Sequence, residues 1–227
     1  MSLALTGCAS SGSSSEPQQT VFINPETGEE SVVEETKYIT FRLSVQGETE
    51  GGVFYCILMN AAGEPIQVDD VGTFTDVIRI YKPDSLRHAT YSWYHRLSET
   101  DRTLSLISEV DTYVSQTEDN SSFIINFPIG DTSVIFNNYI QSSFTVQAMV
   151  CDNTGGGELG RFIDCLGPDL SSSTHYSFTV NPQTGAVGST VPAGYPNDML
   201  YDCEEANIPA NTPYINADLS MFSVEVH

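Results

Sequence analysis

From Tyr38 onward the chain alternates. Ile39, Phe41, Leu43 and Val45 are separated by Thr40, Arg42 and Ser44, with Tyr38 and Gln46 at the ends. A period of two sends successive side chains to opposite faces, so this segment predicts a half-buried strand. Val53–Met59 is instead a continuous apolar run, the pattern of a strand covered on both faces, and Asn60-Ala61-Ala62-Gly63 closes it with a turn. Phe74–Tyr81 predicts the next strand, stopped by Lys82-Pro83-Asp84-Ser85. Ala89, Tyr91, Trp93, His95 and Leu97 then line one face of a further strand, with Thr90, Ser92, Tyr94 and Arg96 on the other. Leu104–Val114 alternates imperfectly and reads as strand or helix. Phe123–Phe127, Val134–Ile140, Phe144–Val150, Tyr176–Val180 and Leu219–Val226 read as strands, and Pro192–Pro213 as a long loop.

No segment carries a long helical period with caps. The pattern predicts about eight to ten strands divided by Gly, Pro, Asn and Asp clusters. That is an all-β chain, a single antiparallel β-sandwich of jelly-roll or immunoglobulin-like type with long loops. Its 227 residues suit one such domain. Residues 38–227 form it, preceded by a short leader over 1–8 and a Ser-rich tether with an acidic arm over 9–37. Asn24-Pro25-Glu26-Thr27-Gly28 and Asn181-Pro182-Gln183-Thr184-Gly185 look alike and read as turns, because Pro fixes φ and Gly supplies positive φ.

The leader Met1-Ser-Leu-Ala-Leu-Thr-Gly-Cys8 ends in Leu5-Thr6-Gly7-Cys8, which resembles the lipobox of bacterial lipoproteins. The resemblance implies cleavage before Cys8 and a diacylglycerol on its sulfur. Ala9, rather than Asp, follows, which in that family implies the outer membrane or cell surface. The stretch before Cys8 has no Lys or Arg and is shorter than a working signal peptide.

The other four cysteines fit an oxidising compartment. Cys151 and Cys165 bracket a Gly-rich loop and form a natural local pair, which leaves Cys56 with Cys203; the alternative for Cys56 is a buried free thiol. The run Phe54-Tyr55-Cys56-Ile57-Leu58-Met59-Asn60, Gly63 and then Phe74–Tyr81 resembles secreted β-sandwich modules of the DOMON and family-9 carbohydrate-binding type.

Charge narrows the partners. Eight Lys and Arg stand against 30 Asp and Glu, a net charge of −22, so no basic stripe exists to bind nucleic acid. Among cofactors, calcium is the one such a chain suggests, since it takes oxygen ligands from loops. Asp152, Asn153, Glu158 and Asp164 make the leading candidate loop; Asp69, Asp70 and Asp76, and Asp198, Asp202, Glu204 and Glu205, make two others. Gly155-Gly156-Gly157-Glu158-Leu159-Gly160 matches a dinucleotide fingerprint in letters, but too few residues follow for the helix it requires. Trp93, Tyr94 and Tyr91 are candidate sugar-stacking residues, with the sandwich core as the alternative fate of Trp93. No HExxH or GxSxG occurs, although a Ser–His–Asp set assembled in space leaves no obligatory spacing.

These features converge on an envelope-anchored or secreted lipoprotein acting as a non-catalytic binding or adhesion module. Its expected partners are the membrane, through the lipid, and a polysaccharide or surface protein. A structural subunit of a surface layer or filament is one alternative, with Leu219–Val226 pairing to a neighbour if it lies on a sheet edge. A hydrolase of polysaccharide or peptide is the other.

Overall fold

The computed structural model describes residues 20–23, 30–33, 37–49, 52–64, 66, 73–82, 89–97, 104–129, 143–152, 159–160, 162–165, 178–181, 188–189 and 217–226. The chain divides between Thr36 and Lys37 into two units. In the first, β1 (Thr20–Ile23) and β2 (Glu30–Val33) pair antiparallel, and the first Asn-Pro-x-Thr-Gly segment lies outside the described residues.

Among its described residues the second unit is built of β-strands in two antiparallel sheets packed face to face, with no closed barrel. The strands are β3 (Lys37–Val45), β4 (Val53–Asn60), β5 (Asp76–Tyr81), β6 (Thr90–Arg96), β7 (Leu104–Tyr113), β8 (Ser115–Gln116), β9 (Ser122–Ile129), β10 (Phe144–Asp152), β11 (Phe162–Cys165), β12 (Phe178–Val180), β13 (Gly188–Ser189) and β14 (Leu219–Val226). The larger sheet runs β11-β10-β4-β5-β6-β7, with β12 also on β10; the smaller runs β13-β14-β3-β9-β8. Leu104–Val114 therefore resolves as a strand, and Val114, buried between β7 and β8, marks where the chain crosses between sheets. Val134–Ile140 and Pro192–Pro213 lie outside the described residues. The strand Leu219–Val226 is not an outermost strand: β14 sits between β13 and β3, with β13 pairing, among the described residues, at Ser223 and Val224.

The alternation in β3 becomes burial. Ile39, Phe41, Leu43 and Val45 join Phe123, Ile125 and Phe127 of β9 and Phe222 and Val224 of β14. They meet Tyr55, Ile57, Ile78, Ile80, Tyr91 and Trp93 of the larger sheet in one core. Phe127 lies at its centre, edge-on to Phe41, Tyr91 and Trp93 with centroids 6.0, 5.4 and 5.7 Å away. Edge-to-face rings set the positive rim of one against the negative face of another, which adds to simple burial.

The apolar run of β4 has its own cause. Its other face, with Cys56 and Leu58, joins Val77, Met149, Cys151, Ile66, Phe74 and Leu159 in a second apolar cluster on the outer side of the larger sheet. The predicted turn after β4 forms as read. Asn60 Oδ1 accepts from Ala62 N at 2.8 Å, and Gly63 N–H donates to Asn60 O at 3.1 Å. Gly63 has φ +76°, a conformation that favours glycine, and a Cβ there would stand a tight 3.3 Å from Ser143 O.

At one end, Lys82 Nζ donates to Thr49 O at 2.8 Å, Gln116 Nε2 donates to Thr49 Oγ1 at 2.7 Å, and Thr49 N–H donates to Asn120 O at 2.7 Å. This clasp ties the end of β5 to the β8–β9 turn of the opposite sheet. In that turn Asn120 takes φ 55°, a left-handed conformation that Asn tolerates. The exposed Asp119 carboxylate beside it accepts from Thr117 Oγ1 at 2.6 Å, and from Ser121 N–H and Oγ at 3.1 and 2.8 Å. These bonds favour the anion and draw its pKa from 3.8 down to about 2, Thr117 contributing most. A depressed carboxylate stabilises the fold above its unfolded value and ceases to as pH falls through its folded one. The turn's contribution is therefore full above pH 3.8 and lost as pH drops through about 2. In an NMR titration, Thr117→Val is expected to move the Asp119 midpoint upward toward 3.8; an unmoved midpoint would refute this assignment.

Candidate functional site

Of the candidate stacking residues, Trp93 takes the core position that its strand face also offered, and Tyr91 is buried with it. Trp93 is 1% exposed and Tyr91 5%, both against Phe127, so neither offers a face to a sugar. The reason is register: both point to the face of β6 that meets the smaller sheet. Tyr94 points to the opposite, outer face and is only partly buried.

That outer face carries an arginine which sequence reading passed over. Arg79 of β5 is buried, with its guanidinium carbon 3.9 Å from the Phe54 ring centroid and 4.8 Å from that of Tyr94. Phe54 in turn meets Tyr81 at 5.3 Å. The result is a layered row, Tyr81–Phe54–Arg79–Tyr94, in which a weakly hydrated planar cation lies between aromatic faces. Directly opposite Tyr94 on β7 stands Leu106, 45% exposed. Tyr94 and Leu106 thus form a surface pair whose aromatic member is fixed from behind. The available signal was that Phe54, Arg79, Tyr81 and Tyr94 occupy non-core positions of their strands. What joins them is pairing between strands, which sequence does not state.

A second constellation sits on the core-side face, one step past the last core pair, Ile78 and Trp93. There Asp76 of β5 is directly opposite His95 of β6, and His95 is directly opposite Ser105 of β7. The buried Asp76 Oδ1 is 3.1 Å from His95 Nδ1, and Trp93 Nε1–H donates to the same oxygen at 3.4 Å. The His95 side chain is 53% exposed. Asp76 was grouped with Asp69 and Asp70 as an acidic cluster. Asp76 bonds to His95 and Trp93, and Asp69, Asp70 and His88 lie outside the described residues.

The leading calcium loop is only partly described. Asp152 ends β10 opposite Val53, and Asn153 and Glu158 lie outside the described residues. Asp164 is buried on β11, where Oδ2 accepts from Leu219 N–H at 2.6 Å and so fixes the start of β14. That bond gives Asp164 a structural use at the seam between sheets. Among the described residues no group of three metal-binding side chains converges. After the glycines a strand follows, β11 paired back on β10, where a dinucleotide site would need a helix.

The cysteine pairings find no support. Cys56 is a buried free thiol whose Sγ–H reaches Phe54 O at 3.9 Å, because its side of β4 is sealed in the second cluster. Cys165 stands opposite Met149, whereas Cys151 stands opposite Phe162, with a register shift at Val150/Cys151. The expected local pair is therefore offset along the strands, where a disulfide needs its two Cβ atoms about 3.8 Å apart. Cys203 and Cys8 lie outside the described residues.

Comparison with known proteins adds nothing to this geometry. No protein-family model, no curated protein and no solved structure matches the chain.

Proposed function

We propose that this chain is a binding or adhesion module displayed outside the cytoplasm, with polysaccharide as its ligand. The observation that carries the reading is Tyr94, a partly exposed ring held from behind by Arg79 and beside the exposed Leu106. A sugar ring has apolar faces and wet edges, and a phenol ring held in place stacks on such a face with little ordering cost. The net charge of −22 favours a neutral glycan over an anionic one. Attachment through a lipid on Cys8, with the Ser-rich segment as a flexible spacer, is the accompanying proposal for its address.

The test is binding of the protein to a broad glycan panel, once with millimolar calcium and once with EDTA. Binding in both buffers, weakened at least ten-fold by Tyr94→Ala with an unchanged melting temperature, supports the stacking surface. Binding lost in EDTA moves the site to the Asp152–Asp164 loop. No binding in either buffer defeats the polysaccharide reading and favours a protein partner.

A further inference from the structure

The turn between β8 and β9 reads Thr117-Glu118-Asp119-Asn120-Ser121-Ser122. Within it Asn120-Ser121-Ser122 is the Asn-x-Ser pattern of an acceptor for N-linked sugar in proteins outside the cytoplasm. No other asparagine of the chain is followed two places on by Ser or Thr. We propose that Asn120 is an N-glycosylation site, filled on the exported chain before β9 pairs with β3. The inference rests on the address outside the cytoplasm proposed above, where the sugar donor is used.

The fold presents this asparagine and leaves room for a sugar. Asn120 is exposed, and its φ of 55° is one that Asn and Asp tolerate. Its main chain is engaged on both sides. The N–H donates to Thr117 O at 2.9 Å, and the O accepts from Thr49 N–H at 2.7 Å and from Thr49 Oγ1 at 2.8 Å. Among the described residues no hydrogen bond engages the Asn120 side chain. Asp119 beside it spends its carboxylate on Thr117 and Ser121 instead. The backbone is therefore fixed while Nδ2 stays open to a bond directed outward. The turn also lies far from the chain's entry into the sheet: β3 begins with Lys37 opposite Ile129 and meets Ser122 only at Ser44.

The serine of the pattern sets the timing. An amide nitrogen is a weak nucleophile, because its lone pair is shared with the carbonyl. A transferase must hold it in place, and the hydroxyl two residues on is the handle for doing so. Ser122 is 1% exposed, its Oγ is 2.7 Å from Ser44 Oγ on β3, and its N–H donates to Thr117 Oγ1 at 3.1 Å. In the folded domain the amide is thus accessible and the hydroxyl is not. Both are accessible only before β9 docks. In the transfer Nδ2 bonds to the anomeric carbon of a lipid-diphosphate-linked oligosaccharide. The bond from that carbon to the phosphate oxygen breaks, the lipid diphosphate leaves with the electron pair, and one amide proton passes to solvent. Nothing is oxidised or reduced.

The experiment is peptide mass spectrometry on the full chain recovered from its own host, with the envelope and cytosolic fractions analysed separately. Asn120→Asp, Ser122→Ala and Ser122→Thr are expressed in the same host. The expected result is an oligosaccharide mass increment on Asn120 of the envelope protein, lost in Asn120→Asp and Ser122→Ala and kept in Ser122→Thr. Aspartate keeps the shape of the side chain and suits the turn, so Asn120→Asp loses the sugar without losing the fold. Threonine restores the hydroxyl, which a merely structural Ser122 would not link to the sugar. Envelope protein with a bare Asn120 overturns this proposal and leaves the address standing, whereas protein confined to the cytosol overturns both. Folded bare protein, made in a host without the transferase, is expected to stay bare when mixed with membranes of the first host. Its modification there would overturn the order of events.

Discussion

Phe127→Ala is expected to cost about 3–5 kcal/mol of unfolding free energy, the range for deleting a buried aromatic side chain. Phe127 is nearly sealed and is edge-on to Phe41 from its own sheet and to Tyr91 and Trp93 from the other. Removing it takes one partner from three ring pairs at once. The neighbours belong to two different sheets, so they cannot close the gap without a shift of one sheet on the other. Urea denaturation should show a lower midpoint with little change in slope. Leu106→Ala, at an exposed position on the outer face, is the control and should stay within about 0.5 kcal/mol. A loss below about 1 kcal/mol for Phe127→Ala would mean that the two sheets do not share one core.

Gln147→Met should move stability the other way, by about 1–3 kcal/mol, the cost of a buried polar group left without a hydrogen bond. Gln147 is 0% exposed, and among the described residues neither Nε2 nor Oε1 has a hydrogen-bond partner. Its surroundings explain the cost. Leu58 lies directly opposite on β4, and on the other flank of β10 the paired stretches of β11 and β12 stop on either side of position 147. Methionine matches the volume of glutamine, carries no polar amide and fits irregular apolar space. A gain in the urea midpoint supports this account. A loss would mean that the amide is satisfied in solution, for instance by an internal water.

Much of the fold was readable because burial in a sandwich writes itself as a period. β3 and β6 alternate since each has one face in the core, and β4 does not since both its faces are covered. What escaped reading was short or disguised. β2 lies in a stretch that reads as acidic arm, and β8 and β13 have two residues each, too few for any period. The same limit governs the site. The period puts Trp93 and His95 on one face of β6, yet one is core and the other half exposed. That difference depends on where the smaller sheet stops covering the larger, set by Phe127 more than 30 positions away in sequence. Asp76 and His95 met only through the β5–β6 register, which the residues between the two strands do not announce.

The position of β3 has a mechanical consequence. The strand that follows the N-terminal unit lies inside the smaller sheet, bonded to β14 on one flank and β9 on the other along most of its length. A pull arriving through Lys37 and resisted at the far end of the domain therefore loads two ladders in shear, so that many hydrogen bonds bear the strain together. An outermost strand with a single ladder would peel open bond by bond. Under such a load the domain would yield many bonds together rather than one at a time.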